Sequence, residues 1–384
     1  MTPNPILFDR IKRFQDTVRS HNEGRVINYF SGFVWPAADC GYKLNCIARD
    51  YEMRKQCADE FQARYNFDFS SDFWSTNPLP ISDPLGGSVN ILVDEPFSVE
   101  VIDHNYMDLP EDLELCKKNY TEFLWTKLMP RKFPELMADP DPASAILKSQ
   151  EELLAYFDYC YDIEDFMMEK YGTYGFFTGR TAFLTFFLQN LFLDYSGMKE
   201  MALALRRYKD QVKEVCDHFG LIGALNMDKG TIPGRAHDYT FRMLAQTFLS
   251  AKQFETFIFP AMKQLYQHAE ECDKVVFCFV QGENSRFYDF FKEAPAGHFM
   301  WYLEKDNLVE AKKVFEDHSA IAGGLKTTIL GSGTPEACVD HAKDLLDTLN
   351  YDGKYMIGPE VFLTFPNDAK RENLLAVSNY LNSL

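Results

Sequence analysis

Four polar side chains lie in or just after two short apolar runs in the last third of this chain, and their types suit proton and group-transfer chemistry. Val275–Val280 leads into Gln281 and Glu283, and His298–Leu303 carries Tyr302 and leads into Glu304. The apolar runs read as neighbouring buried strands, so all four residues converge where those strands end. There an amide such as Gln281 orients a donor, the carboxylates exchange protons, and a phenol such as Tyr302 protonates a departing oxygen. Local hydrogen bonding at strand ends is the bland alternative for each of them.

The elements that must position these groups alternate in type. Ser319–Leu325 is a third short run, followed by the Gly331–Gly333 turn and a helix, and Lys354–Gly358 is a fourth. Buried strands alternating with helices predict a parallel sheet. In such sheets ligands bind beyond the carboxyl ends of the strands. The expected fold is therefore an α/β (β/α)8 TIM barrel with N-terminal helical and hairpin additions, one domain over residues 1–384. A doubly wound open sheet is the alternative.

Upstream, residues 4–21 and Asp50–Tyr65 read as helices, with a first strand at Arg25–Phe30. A hairpin fits Val89–Val93 and Phe97–Ile102. Glu111–Leu124, Ser144–Lys170 and Met198–His218 read as helices, whereas Gly172–Leu193 is ambiguous. An apolar run at Leu221–Leu225 precedes a Gly/Pro loop, Lys229–Arg235. A helix then runs from Ser250 to Glu271, with Ser250 as its N-cap. Thr334 caps the helix that begins at Pro335, where the missing N–H costs nothing.

Composition narrows the function further. The 384 residues carry a formal charge of −18 and 34 Phe. So acidic a chain is a poor ligand for nucleic acid or an anionic membrane. Nine scattered cysteines without a Cys-x-x-Cys pair argue against a disulfide framework. The N-terminus lacks a basic start followed by an apolar run, and Tyr174–Leu193 is too polar for a bilayer span, so a cytoplasmic protein is expected.

The C-terminal units resemble the uroporphyrinogen decarboxylase-like superfamily. The resemblance is carried by Phe279–Asn284, Pro295–Gly297, Gly323–Leu325, Ile329–Glu336 and Pro366–Leu374, with Leu249–Phe254 and Pro260 upstream. It extends over about residues 180–380 and implies a (β/α)8 barrel. Decarboxylases of that superfamily carry an Arg-Gln-Ala-Gly-Arg run after the first strand. Here Phe33–Tyr42 lacks those cations. The chain looks more like the corrinoid-dependent methyltransferases, in particular the methyl ether O-demethylase-like branch. That likeness implies a small methylated substrate, such as an aryl methyl ether, and transfer of its methyl group to the cob(I)alamin of a partner corrinoid protein.

Zinc is a cofactor of some of these enzymes. The positions expected to hold it are Phe279 and Gln281 in one branch, and Tyr266, Gln281 and Tyr302 in the other; the usual ligands are not matched. A shifted set, His268, Glu283 and Glu304, fails because His268 sits at a helix end on the opposite barrel face and reads as a surface residue. The resemblance also points to His237 as a catalytic residue. It makes Glu304, Arg180, Arg235, Arg242 and Arg286 candidates for binding the substrate or the corrinoid's anionic tail. By analogy the chain forms a homodimer. Two other functions stay open: a non-catalytic barrel that binds a tetrapyrrole or a partner, and a decarboxylase-like lyase on a small acid.

Overall fold

The computed structural model describes residues 4–71, 78–87, 90–176 and 181–384. Its strands are β1 (Ile27–Phe30), β2 (Phe69–Ser70), β3 (Asn90–Asp94), β4 (Phe97–Val101), β5 (Tyr174–Gly175), β6 (Ala182–Phe186), β7 (Leu221–Ile222), β8 (Tyr239–Met243), β9 (Val276–Val280), β10 (Phe299–Leu303), β11 (Ala320–Leu325) and β12 (Tyr355–Pro359). One sheet runs β5–β2–β1–β12–β11–β10–β9–β8–β6–β7. Its pairings are parallel except for the antiparallel edge β7 on β6. β5 and β6 follow one another in the chain; β5 pairs with β2 and β6 with β8. Together they fill the third stave of eight, which closes the (β/α)8 barrel. Phe176, just after β5, spans the closure: its N–H donates to Ser70 O at 3.1 Å and its carbonyl accepts the Thr240 hydroxyl.

Residues alternate across each strand. The inward set includes Tyr29, Phe69, Phe176, Phe277, Phe279, Met300, Tyr302, Ala322 and Met356. The outward set, such as Phe241, Cys278, Trp301 and Ile357, packs under the helices. Rings fill the barrel axis. Phe176 stacks on Phe277 at 4.2 Å, Phe279 on Tyr302 at 5.0 Å, and Tyr29 meets Tyr302 edge-on at 5.7 Å.

Helix Pro5–Arg19 closes the bottom of the barrel, started by the Asn4 side chain accepting from Ile6 N. Its Phe14 packs on Phe69 and Phe176 at 5.4 and 5.3 Å. Beside it Asp68 is fully buried and draws in three arginines: Arg10 and Arg25 at 2.6 Å and Arg13 at 3.5 Å. It also accepts from Asn28 N at 3.0 Å, which ties β1 to the cluster. The hairpin β3–β4 and the long helix Pro142–Tyr171 lie between the second and third staves, the additions expected from the sequence.

Most expected elements fall where the pattern places them, and some differ. Glu111–Leu124 is two helices, Glu111–Lys118 and Tyr120–Phe123, parted at Asn119. Met198–His218 is two helices, Gly197–Arg207 and Lys209–Phe219. Ser250–Glu271 is also two, Ala251–Phe257 and Phe259–Glu271, because Pro260 cannot continue the hydrogen-bond ladder. Ser250 caps the first with a reciprocal bond to Gln253. The Leu221–Leu225 run supplies only the short edge β7. The fourth stave is β8, whose inward positions, Thr240 and Arg242, break the apolar run that marks the other staves. The nine cysteines are unpaired. Among the described residues no helix is long and apolar enough to cross a membrane.

Replacing Asp68 by Asn leaves three buried or half-buried guanidinium groups without their shared carboxylate. The variant should lose about 3–5 kcal/mol of stability in urea unfolding. A loss within error of zero would show that the cluster does not hold the barrel floor.

Candidate active site

Above the aromatic layer the inward register turns polar. Continuing the alternation past Phe277 and Phe279 reaches Gln281, and past Met300 and Tyr302 it reaches Glu304. Past Met356 and Gly358 it reaches Glu360, and on β8 it passes from Thr240 to Arg242. Arg242 is in register with Phe279, and Phe279 with Tyr302. These side chains therefore share the carboxyl-end mouth, with Tyr302 and Phe279 as its floor and Phe362 edge-on to Phe279 at 4.4 Å.

Glu304 is half-buried. Its Oε2 accepts from Gly282 N at 2.8 Å, so one carboxylate oxygen is fixed. Burial holds its pKa above the usual glutamate range; the Gly282 N–H, Lys305 and Arg242 offset this in part, and Glu360 adds like charge. Glu360 accepts from Thr327 N and Oγ1 at 3.0 and 3.1 Å. Burial pushes the Arg242 pKa down, with Glu304 the carboxylate that pulls it back up. The two form no ion pair within 4 Å, and the buried Nε of Arg242 has no hydrogen-bond partner.

The turn after β9 is built to aim that Gly282 N–H. Gly282 has φ +74°, and a Cβ there would come within 2.6 Å of Thr247 Cγ2. The Gln281 carbonyl accepts from Gln246 Nε2 at 2.8 Å and Asn284 Nδ2 at 3.1 Å. Asn284 is fully buried and also bonds Gly282 O at 2.9 Å and both oxygens of Asp306. Asp306 in turn accepts from Tyr288 OH at 2.7 Å. Neither Asn284 nor Glu360 was singled out as a site residue. Glu360 meets the criterion that selected Gln281 and Glu304, a polar group just past a strand end. Asn284 lies inside the motif that carries the family resemblance.

Of the residues selected from sequence, Gln281, Glu304 and Arg242 come together at the mouth. The others do not. Tyr302 is buried in the floor, with its hydroxyl donating to Pro359 O and its pKa driven up by burial, so it is no ready proton donor. Glu283 faces solvent; Ser285 and then Arg286 hold its carboxyl below the usual range. Arg286 spends its donors on Leu249 O, Glu283 O and Thr247 O at 3.1, 2.7 and 3.2 Å, clamping two loops together. Arg235 precedes β8 and so lies on the amino-end face, where its carbonyl accepts from Gln15. Arg180 lies outside the described residues.

His237 also precedes β8. It is fully buried beneath the barrel against Phe176 (4.9 Å) and Tyr174 (5.8 Å), with Nε2 2.9 Å from Thr240 Oγ1. The Thr240 hydroxyl donates to Phe176 O, so it accepts from a neutral His237 Nε2–H. His268 is buried rather than on the surface, and its Nε2 lies 2.8 Å from Tyr239 OH on that same lower face.

The positions expected to hold zinc supply no usual ligand. Phe279 and Tyr302 are floor rings, Tyr266 donates to Phe290 O at 3.2 Å, and the described residues bring no three His, Cys, Asp or Glu side chains together as a metal site.

Residues 234–379 match the family model of uroporphyrinogen decarboxylase (URO-D). That stretch runs from β8 to the last helix and contains most of the motifs that carry the resemblance. A methyltransferase from Methanosarcina mazei aligns over 97% of this chain and 98% of its own, at 12% identity and a TM-score of 0.49. No curated protein sequence matches the chain.

His237 should show up in the pH dependence of stability instead of in catalysis. Burial lowers its pKa from 6.5 to about 3. Between those values the unfolded chain binds a proton that the folded chain does not, so stability falls as pH falls, by up to about 1.4 kcal/mol per pH unit. Replacing His237 by Gln should flatten that slope below pH 6.5 and leave turnover intact. An unchanged slope, or turnover lost without loss of stability, would return His237 to the active site.

Proposed function

We propose that the chain is a methyltransferase that takes a methyl group from a small methylated compound and delivers it to the cob(I)alamin of a partner corrinoid protein. The observation that carries this reading is Glu304. It is a half-buried carboxyl of raised pKa, fixed by one backbone N–H and set over an aromatic floor at the mouth of a uroporphyrinogen decarboxylase-like barrel.

The chemistry asked of the protein is modest. The corrinoid supplies the nucleophile when its carrier docks over the mouth. This chain's residues hold the methyl donor and improve its leaving group. Gln281, whose side-chain amide has no partner among the described residues, orients the donor. The rings of Phe279, Tyr302 and Phe362 take the face of a planar substrate. As the methyl–oxygen bond breaks, the oxygen keeps the electron pair and takes the proton of Glu304.

Decarboxylation of a polycarboxylate is disfavoured by what surrounds the loop after β1. Arg64 and Arg371 fold against it, but both are spent on the buried Asp39: Arg64 makes a short ion pair and Arg371 Nε sits at 2.9 Å. Neither cation is left for a polycarboxylate substrate.

Anaerobic cob(I)alamin mixed with the protein and a panel of methoxy compounds should convert to the methylated form, followed by its visible spectrum. The rate should fall as pH rises past the Glu304 pKa, because the acid form is required. Glu304→Gln should lower turnover roughly 10²- to 10⁴-fold and abolish that alkaline limb. Methyl transfer by Glu304→Gln at the wild-type rate would remove Glu304 from the mechanism. Absence of transfer, with free cob(I)alamin and with corrinoid carrier proteins alike, would remove the function.

A further inference from the structure

We infer that Arg242 is the anchor for a carboxylate on the substrate, so that the methyl donor is a methylated monocarboxylic acid and not a neutral ether. The inference rests on the methyl-transfer reading only for what the other end of the ligand carries.

The case starts from cost. A guanidinium withdrawn from water without a partner destabilises the fold. Other arginines packed into the barrel are matched: Arg10, Arg13 and Arg25 share Asp68, and Arg64 and Arg371 share Asp39. Half-buried Arg235, on the amino-end face, is not matched by a described residue, and at the carboxyl end neither is Arg242. Its guanidinium makes no hydrogen bond or ion pair with a described residue, and its Nε is buried and unpartnered. Local structure does not force this, because the strand end that carries it is braced by another side chain. Gln189 donates to Arg242 O at 3.2 Å and accepts from Leu244 N at 2.7 Å.

The nearest counter-charge is held away from it. Glu304 interacts with Arg242 at a distance, yet its Oε2 is turned to Gly282 N and no pair forms within 4 Å. Glu360 is engaged by Thr327. What remains is a planar cation with free donors at the edge of an aromatic floor, a fit for one carboxylate in fork geometry. A single unmatched cation suits a monoanion and not a polyanion. The carboxylate on Arg242 also leaves the far side of the ligand toward Gln281 and Glu304, where the methyl group would leave.

The test uses the full-length protein and two readouts that do not need a corrinoid. In calorimetry, 3-methoxybenzoate and methoxyacetate should bind, and their carboxamides should bind roughly 10- to 100-fold more weakly. Arg242→Gln should erase the difference, and Arg242→Lys should restore it in part. Without ligand, Arg242→Met should melt at or above the wild-type temperature, because a half-buried cation without a partner among the described residues is gone. Equal affinity for acids and amides, no binding of either, or a marked fall in melting temperature for Arg242→Met would overturn the assignment. Methyl transfer from neutral ethers would then leave the proposed function standing alone. Acid-selective binding without methyl transfer would leave Arg242 standing alone.

Discussion

The barrel is filled by rings, and that filling sets the depth of everything else. Phe176, Phe277, Phe279, Tyr29 and Tyr302 occupy the axis from the floor upward, each buried and in contact with another. Large rings contribute much of the apolar area a core can bury. Because side chains alternate, the next inward position on each of these strands has nowhere to go but the mouth. Gln281, Glu304 and Glu360 are polar because they stand one pleat above the rings. A polar mouth over a buried aromatic floor follows, and the same burial raises the Glu304 pKa and lowers that of Arg242.

Two polar networks hold that arrangement from opposite ends. Below, Asp68 gathers Arg10, Arg13 and Arg25 and pins the first helix and β1 under the barrel. Above, Asn284 and Asp306 lock the turn after β9 to the segment after β10, so that the Gly282 N–H meets Glu304. Neither network touches the proposed substrate. Each replaces loop freedom with fixed geometry, which a site needs if its groups are to act without rearranging.

The fold was legible wherever strands are apolar on both faces. β9, β10, β11 and β12 read directly as runs, and the polar residues just beyond β9 and β10 located the mouth. β8 did not read as a run because Thr240 and Arg242 point inward, and that one omission had consequences. His237 and Arg235, which the resemblance makes site candidates, precede this unmarked strand and so lie under the barrel. Tyr302 was placed by its position in the chain, but its hydroxyl is engaged by a carbonyl 57 residues away, a pairing no local pattern encodes. Arg286 and Asn284 were obscure for the same reason: their partners come from neighbouring turns.

Amide hydrogen exchange with and without cobalamin and 3-methoxybenzoate distinguishes a ligand entering at the carboxyl-end mouth from one entering at the amino-end face where His237, Arg235 and His268 gather. Entry at the mouth should slow exchange in the turns after β9, β10 and β12, at residues 281–285, 304–306 and 360–364, with no change in helix Pro5–Arg19 or residues 229–237. Protection confined to that helix and to residues 229–237 would place the site on the wrong end of the barrel and contradict entry at the mouth.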